Sequence, residues 1–168
     1  DKYTSILFQG SGTYANESVI SCLPDNSRID VFSNGLYGRR LVDICSKYKN
    51  LGNVVCLDKK IQITGEIVED MLKNSKSSHI AFVHNETTTG IENCLEDICE
   101  VANKYDKKII VDAISSYGGI PINIEKLNID YLVGSSNKCL HGYPGIGFVI
   151  ANKDSLQECK DNSTTLSL

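Results

Sequence analysis

Three short stretches of the chain carry side chains suited to holding an anion, pairing with a buried cation, and attacking a carbonyl. The first is Gly10-Ser11-Gly12-Thr13. Its glycines let a ligand approach the backbone, and Ser11, Gly12 and Thr13 offer hydroxyl and N–H groups at the start of a helix pattern, which suits a phosphate. The same residues also read as a plain turn with a Ser or Thr cap. The second is Asp112, which ends the apolar run Lys108-Ile109-Ile110-Val111-Asp112. A carboxylate delivered there by a buried strand is costly unless it meets a cation or hydrogen-bond donors. A protonated pyridine nitrogen and a metal are two such partners, and a turn cap using Ser115 or Ser116 is the plainer role. The third is Lys138 in Gly134-Ser135-Ser136-Asn137-Lys138, an amine just past another strand and suited to Schiff-base chemistry. Each is ordinary alone. An anion site, a ring-nitrogen partner and an amine together are what pyridoxal 5'-phosphate requires.

Further residues have two readings each. Tyr37 in Asn34-Gly35-Leu36-Tyr37-Gly38 can lie flat on a ring or sit in the core. His84 can donate to a cofactor or substrate, or serve as a hydrogen-bonded structural histidine. Cys139 follows the lysine and reads as buried and inert. The stretch Gly142-Tyr143-Pro144-Gly145-Ile146-Gly147 has the glycines of a nucleotide loop, but its proline and the strand after it argue against a phosphate-binding helix start.

These residues need a scaffold that brings them together. Apolar β-rich runs predict strands at Ile29–Ser33, Asn53–Leu57, His79–His84, Lys108–Asp112, Tyr131–Gly134 and Gly147–Ala151, besides a strand-like opening that includes Ile6-Leu7-Phe8. Helix-period segments lie near Asn16–Leu23, Tyr37–Tyr48, Gly65–Asn74 and Leu95–Tyr105; in the last, Leu95, Ile98, Cys99 and Ala102 make one apolar face. Such alternation predicts one α/β domain with a mostly parallel sheet. Ligands bind such sheets at the carboxyl ends of the strands. His84–Thr89, Asp112–Ser116 and Ser135–Lys138 each follow a strand, so all three should meet on one rim.

Composition narrows the function classes. Apolar residues at 41% and charged residues at 23% are those of an ordinary globular domain, and 168 residues suffice for one core. The net charge of −4, with Lys and Arg scattered, offers no surface for nucleic acid or membrane. The longest apolar runs are strand-sized. Seven cysteines, an odd number without CxxC spacing, point to reduced thiols in the cytoplasm rather than to disulfides or a metal knuckle. The abrupt strand at Asp1–Leu7 and the apolar ending at Thr164–Leu168 suggest truncation at both ends.

The order and spacing of QGSGTYANES, FSNGLYGRR, HNETTTGIEN, IIVDAISSYGGIPI, VGSSNKCLHGYPGIGFVIA and the closing LSL resemble the class V aminotransferases. The resemblance implies a fold-type-I large domain, α/β, with a mostly parallel seven-stranded sheet flanked by helices, lacking the small C-terminal domain. It implies pyridoxal 5'-phosphate as cofactor and a homodimer in the full-length protein. Lys138 would be the Schiff-base lysine and Asp112 the partner of the ring nitrogen. Ser11, Gly12 and Thr13 would cradle the phosphate, Asn137 would add a polar contact, Tyr37 would stack on the ring and Thr87 would reach the ring hydroxyl. Glu86 and His84 would stand on the substrate side. The implied reaction moves the amino group of 2-aminoethylphosphonate, a small-molecule donor, to pyruvate, giving phosphonoacetaldehyde and alanine. Alternatives are an alanine–glyoxylate or serine–pyruvate type, an inactive truncated cofactor-binding module, or a generic nucleotide-binding domain. Cysteine desulfurases share the scaffold but place His before the lysine, where this chain has Asn137. Asn85 stands where Cys is usual and His141 where Gln is commoner. The arginine that grips the substrate's acidic group, and a phosphate contact from the partner subunit, are expected outside this chain.

Overall fold

Four apolar runs, Ile29–Ser33, His79–Val83, Lys108–Asp112 and Tyr131–Ser135, form the middle of the sheet in a computed structural model that describes residues 2–160. The closing LSL and the apolar ending at Thr164–Leu168 lie outside the described residues, as does Asp1. These runs are buried almost throughout, as parallel strands covered on both faces must be.

In chain order the elements are β1 (Tyr3–Gln9), α1 (Gly12–Cys22), β2 (Ile29–Ser33), α2 (Leu36–Lys47), β3 (Leu51–Cys56), α3 (Gly65–Leu72), β4 (His79–Val83), β5 (Asn85–Glu86), β6 (Ile91–Glu92), α4 (Leu95–Lys104), β7 (Lys108–Asp112), β8 (Tyr131–Ser135), β9 (Ile146–Asn152) and α5 (Lys153–Glu158). Seven of the strands make one sheet in the order β1-β9-β8-β7-β4-β2-β3. The pairs β8/β7, β7/β4, β4/β2 and β2/β3 are parallel; β9 runs antiparallel between β8 and β1. The sheet is therefore mostly parallel and seven-stranded, flanked by helices.

Alternate side chains divide the core into two layers. Val31, Ala81, Val83, Ile110 and Val133 face the layer that holds Ala15, Val19 and Ile20 of α1 and Leu41 of α2. Their neighbours Phe32, Ile80, Phe82, Ile109, Val111 and Leu132 face the layer built on Val68 of α3 and Leu95, Ile98 and Ala102 of α4. The strand period of two thus sends alternate side chains of the central strands to helices on opposite faces of the sheet.

The sequence boundaries shift in places. Helix α1 starts at Gly12 rather than Asn16, because Ser11 is its N-cap and accepts from Tyr14 N. Strand β3 starts at Leu51, and the short β5–β6 hairpin and α5 carry too few residues for a periodic signal. The carboxyl ends of β2, β4, β7 and β8 and the end of β1 share one rim, which is where the chemistry-bearing loops emerge.

Candidate active site

On that rim lies a cavity of about 270 Å³, walled by Gly10–Thr13, Tyr37, Arg40, Thr87, Asp112, Ser115, Asn137, Lys138 and Gly145 among others. Every element enters it by its end. Helix α1 presents its first turn, whose N–H groups have no carbonyl four residues back. A Cβ on Gly12 would stand 2.5 Å from Ile114 Cδ1, so any larger residue there must displace the Ile114 side chain.

Asp112 closes β7 at the floor and is buried. One oxygen accepts from Asn16 Nδ2 at 2.6 Å and the other from Ile114 N at 3.0 Å. Burial raises its pKa from 3.8 to about 6; those two hydrogen bonds oppose the rise, the charge of Glu86 adds to it, and Arg40 offsets it. A carboxylate so placed pairs well with a cationic N–H. Lys138 is exposed on the turn after β8, on the cavity wall, and beside it Asn137 Oδ1 accepts from Ser135 Oγ at 2.8 Å. Thr87 Oγ1 lies 2.5 Å from Ser115 Oγ, joining the loop after β5 to the loop after β7.

Among the described residues, Ser11, Gly12, Thr13, Tyr37, Thr87, Asp112, Asn137 and Lys138 all line this one cavity. His84 and Glu86 do not. His84 is buried, its Nδ1 2.9 Å from Ser116 Oγ and its Nε2 3.8 Å from Glu92, and burial lowers its pKa so that the ring is neutral near pH 7. Glu86 is wholly buried against the start of α2, where its carboxylate accepts from Tyr37 N and Gly38 N. Both are structural neighbours of the site rather than walls of it.

Sequence reasoning passed over Arg40. Its guanidinium lies 5.0 Å from the centre of the Tyr37 ring and Nη1 donates to Thr13 Oγ1 at 3.2 Å. Its signal was the i,i+3 spacing from Tyr37, which puts both on one helix face. The stretch Gly142–Gly147 starts no helix, in keeping with its proline, yet Pro144 and Gly145 wall the cavity. Gly145 O accepts from Gly10 N at 2.8 Å, and both glycines hold positive φ, 110° and 155°. The half-buried Cys139 donates weakly to Ser115 O.

The aminotransferase class-V family model matches residues 2–165. The chain is 48% identical over 171 residues to a bifunctional phosphonoacetaldehyde hydrolase/aminoethylphosphonate transaminase of Clostridioides difficile, covering 100% of this chain and 27% of that protein. It is 45% identical over 170 residues to a 2-aminoethylphosphonate–pyruvate transaminase of Phocaeicola vulgatus, covering 100% of this chain and 47% of that one. The chain thus spans about half the length of such a transaminase. Among solved structures, an alanine–glyoxylate aminotransferase from Nostoc sp. superposes with a TM-score of 0.86 at 25% identity, over 97% of this chain and 44% of that one.

Proposed function

The chain belongs to the class-V aminotransferase family, and from that premise we propose that the full protein is a cytoplasmic homodimeric transaminase that uses pyridoxal 5'-phosphate to move the amino group of 2-aminoethylphosphonate to pyruvate. The observation that carries this reading is the convergence of a helix start, a buried carboxylate and a lysine on one cavity. Identities of 45% and 48% to proteins named for this reaction, spread over the whole chain, favour the aminophosphonate among donors.

The residues present fit the cofactor. The glycine-limited first turn of α1, with Ser11 and Thr13, suits a phosphate dianion. Asp112 suits a protonated ring nitrogen, Thr87 a ring hydroxyl and Tyr37 a ring face. Asn137 adds an amide beside the lysine. When bound, pyridoxal phosphate supplies an electron-poor ring that accepts the electron pair left on the substrate carbon. The chain's own groups do the rest. Lys138 Nζ would hold the cofactor in the absence of substrate and, once freed, would move the proton of the substrate carbon that carries the amine. As a carboxylate, Asp112 would accept the hydrogen bond of a protonated ring nitrogen, and that cation would in turn oppose the burial that raises the Asp112 pKa to about 6.

Exposed apolar side chains at the rim, Leu36, Leu140, Tyr143 and Ile146, favour a second subunit over this face. Among the described residues no helix is long and apolar enough to cross a membrane.

The test is the visible absorbance of the full-length protein mixed with pyridoxal phosphate, before and after borohydride, with the labelled peptide mapped. A band abolished by borohydride with the label on Lys138, and turnover of 2-aminoethylphosphonate above that of alanine or serine, is the expected result. A full-length protein that shows no band overturns the reading.

A further inference from the structure

Asn16 lies one turn into α1, faces the sheet, and is 4% exposed. An amide in that position has little to recommend it for packing, since the surrounding layer is made of Ala15, Val19, Ile20, Ile110 and Val133. Its Nδ2 donates to Asp112 Oδ2 at 2.6 Å. The other end of the amide, Oδ1, has no hydrogen-bond donor among the described residues. An acceptor buried without a donor is costly, so the side chain is held by what its nitrogen does, not by its oxygen.

We propose that Asn16 is a positioning residue for Asp112, its amide holding that carboxylate ionised and fixed in orientation at the floor of the cavity. With Asn16 on one oxygen and Ile114 N on the other, each oxygen of Asp112 has one fixed donor and the carboxylate cannot rotate without breaking both. The remaining lone pairs stay available to a ligand in the cavity that Asp112 lines. The donor also biases protonation. A hydrogen bond to the charged form lowers a carboxyl pKa, and here it opposes the burial that drives Asp112 up to about 6.

The charged and titratable groups that face Asp112 come from every element around it. Glu86 of β5 raises its pKa, and Arg40 of α2 lowers it. His84, after β4, donates its backbone N–H to Asp112 O at 2.9 Å, and its buried ring is neutral near pH 7. Lys138 shares the cavity across the loop after β8. The hydrogen bonds on the carboxylate itself come from none of these groups but from the Asn16 side chain and Ile114 N, among the described residues. The bearing of this on catalysis rests on Asp112 serving the ring nitrogen, as proposed above.

The test uses two variants of the full-length protein, Asn16→Leu, which is close in shape and takes the donor from Asp112 Oδ2 without leaving an amide oxygen behind, and Asn16→Ala, which fits any packing. The primary readout needs no cofactor: the carboxyl carbon of Asp112 followed by NMR as pH is varied. In both variants its midpoint should rise by roughly one unit, a tenfold change in the proton equilibrium. The second readout is the pH dependence of the dissociation constant for pyridoxal phosphate, whose acid limb should move up by the same amount. A residue that only fills space would change the melting temperature and leave both midpoints where they are. Unchanged midpoints in the two variants overturn the assignment. If the unmutated protein binds no cofactor, the function proposed above fails, while the NMR titration still decides the role of Asn16.

Discussion

The carboxylate of Glu86 caps helix α2 through Gly38, whose N–H lies 3.0 Å from Glu86 Oε2. Tyr37 N at 3.3 Å and Thr88 N at 3.2 Å complete the arrangement on Oε1, with Thr88 Oγ1 at 2.6 Å. The N-cap residue itself is Gly35, which has no side chain to do this work. The negative charge also sits where the positive end of the helix dipole favours it. One buried side chain thus fixes both Tyr37, on its helix, and Thr87, next in the chain.

Removing that cap should be expensive. Glu86→Ala leaves three buried or half-buried N–H groups and one hydroxyl without their acceptor, and we expect a loss of about 3 kcal/mol of stability. Glu86→Gln keeps the shape and one acceptor and should lose about half as much. Urea unfolding of the two variants measures this, and a Glu86→Ala protein as stable as its parent would show the cap to be idle.

Lys138 is exposed on the cavity wall, so its loss should separate chemistry from folding. Lys138→Ala should unfold within ~0.5 kcal/mol of the parent. Turnover should fall on the order of 10⁴-fold, and borohydride should attach no label. Lys138→Arg keeps a positive charge without a nucleophilic amine and should behave the same way. A Lys138→Ala enzyme that still turns over ends the transaminase reading.

Much of the fold could be read from the chain because its strands are apolar runs and its helices have clear faces. The strands Ile29–Ser33 and Lys108–Asp112 match residue for residue. The rim also followed, since a parallel sheet puts the residues after its strands together. What could not be read is direction. Glu86 and Thr87 are neighbours in sequence, yet one turns into α2 and the other into the cavity, and no periodicity marks which. Arg40 and Asn16 were hidden for a related reason: each acts through a contact far away in sequence, on Thr13 and on Asp112. A lone Asn in a helix pattern reads as a packing blemish until its partner is known.

Gly12 tests the close approach of helix and strand loop. A methyl there would meet Ile114 Cδ1 at 2.5 Å and Cγ1 at 2.6 Å. Ile114 must then shift, and its N–H is one of the two donors on Asp112. Gly12→Ala should cost about 1–3 kcal/mol by overpacking and weaken cofactor binding roughly tenfold, a loss of about 1.4 kcal/mol. Trimming the neighbour in Gly12→Ala/Ile114→Ala should restore most of the stability. Failure of that rescue would locate the strain elsewhere.

Asp112 should destabilise the cofactor-free protein at the pH where it works. Its folded pKa is raised from 3.8 to about 6 by burial, so between those values the folded chain binds more protons than the unfolded one. Stability then falls as pH rises through this window, by about 3 kcal/mol in all, and the favourable contribution is fully present only below the unfolded midpoint. His79, its pKa lowered by burial to about 4, and His84, lowered by burial, act in the opposite sense as pH falls below 6.5. The isosteric Asp112→Asn leaves both histidines in place, so the difference between variant and parent isolates the carboxylate. Its new amide can donate to the unpartnered Asn16 Oδ1 once Asn16 turns over. Urea unfolding without cofactor should find Asp112→Asn more stable than the parent by up to ~3 kcal/mol above pH 6, and level with it below pH 4. A difference that stays constant across that range would mean Asp112 is not the group titrating. If the expected curve appears while the variant loses turnover, the carboxylate is retained against stability, as a group kept for its chemistry should be.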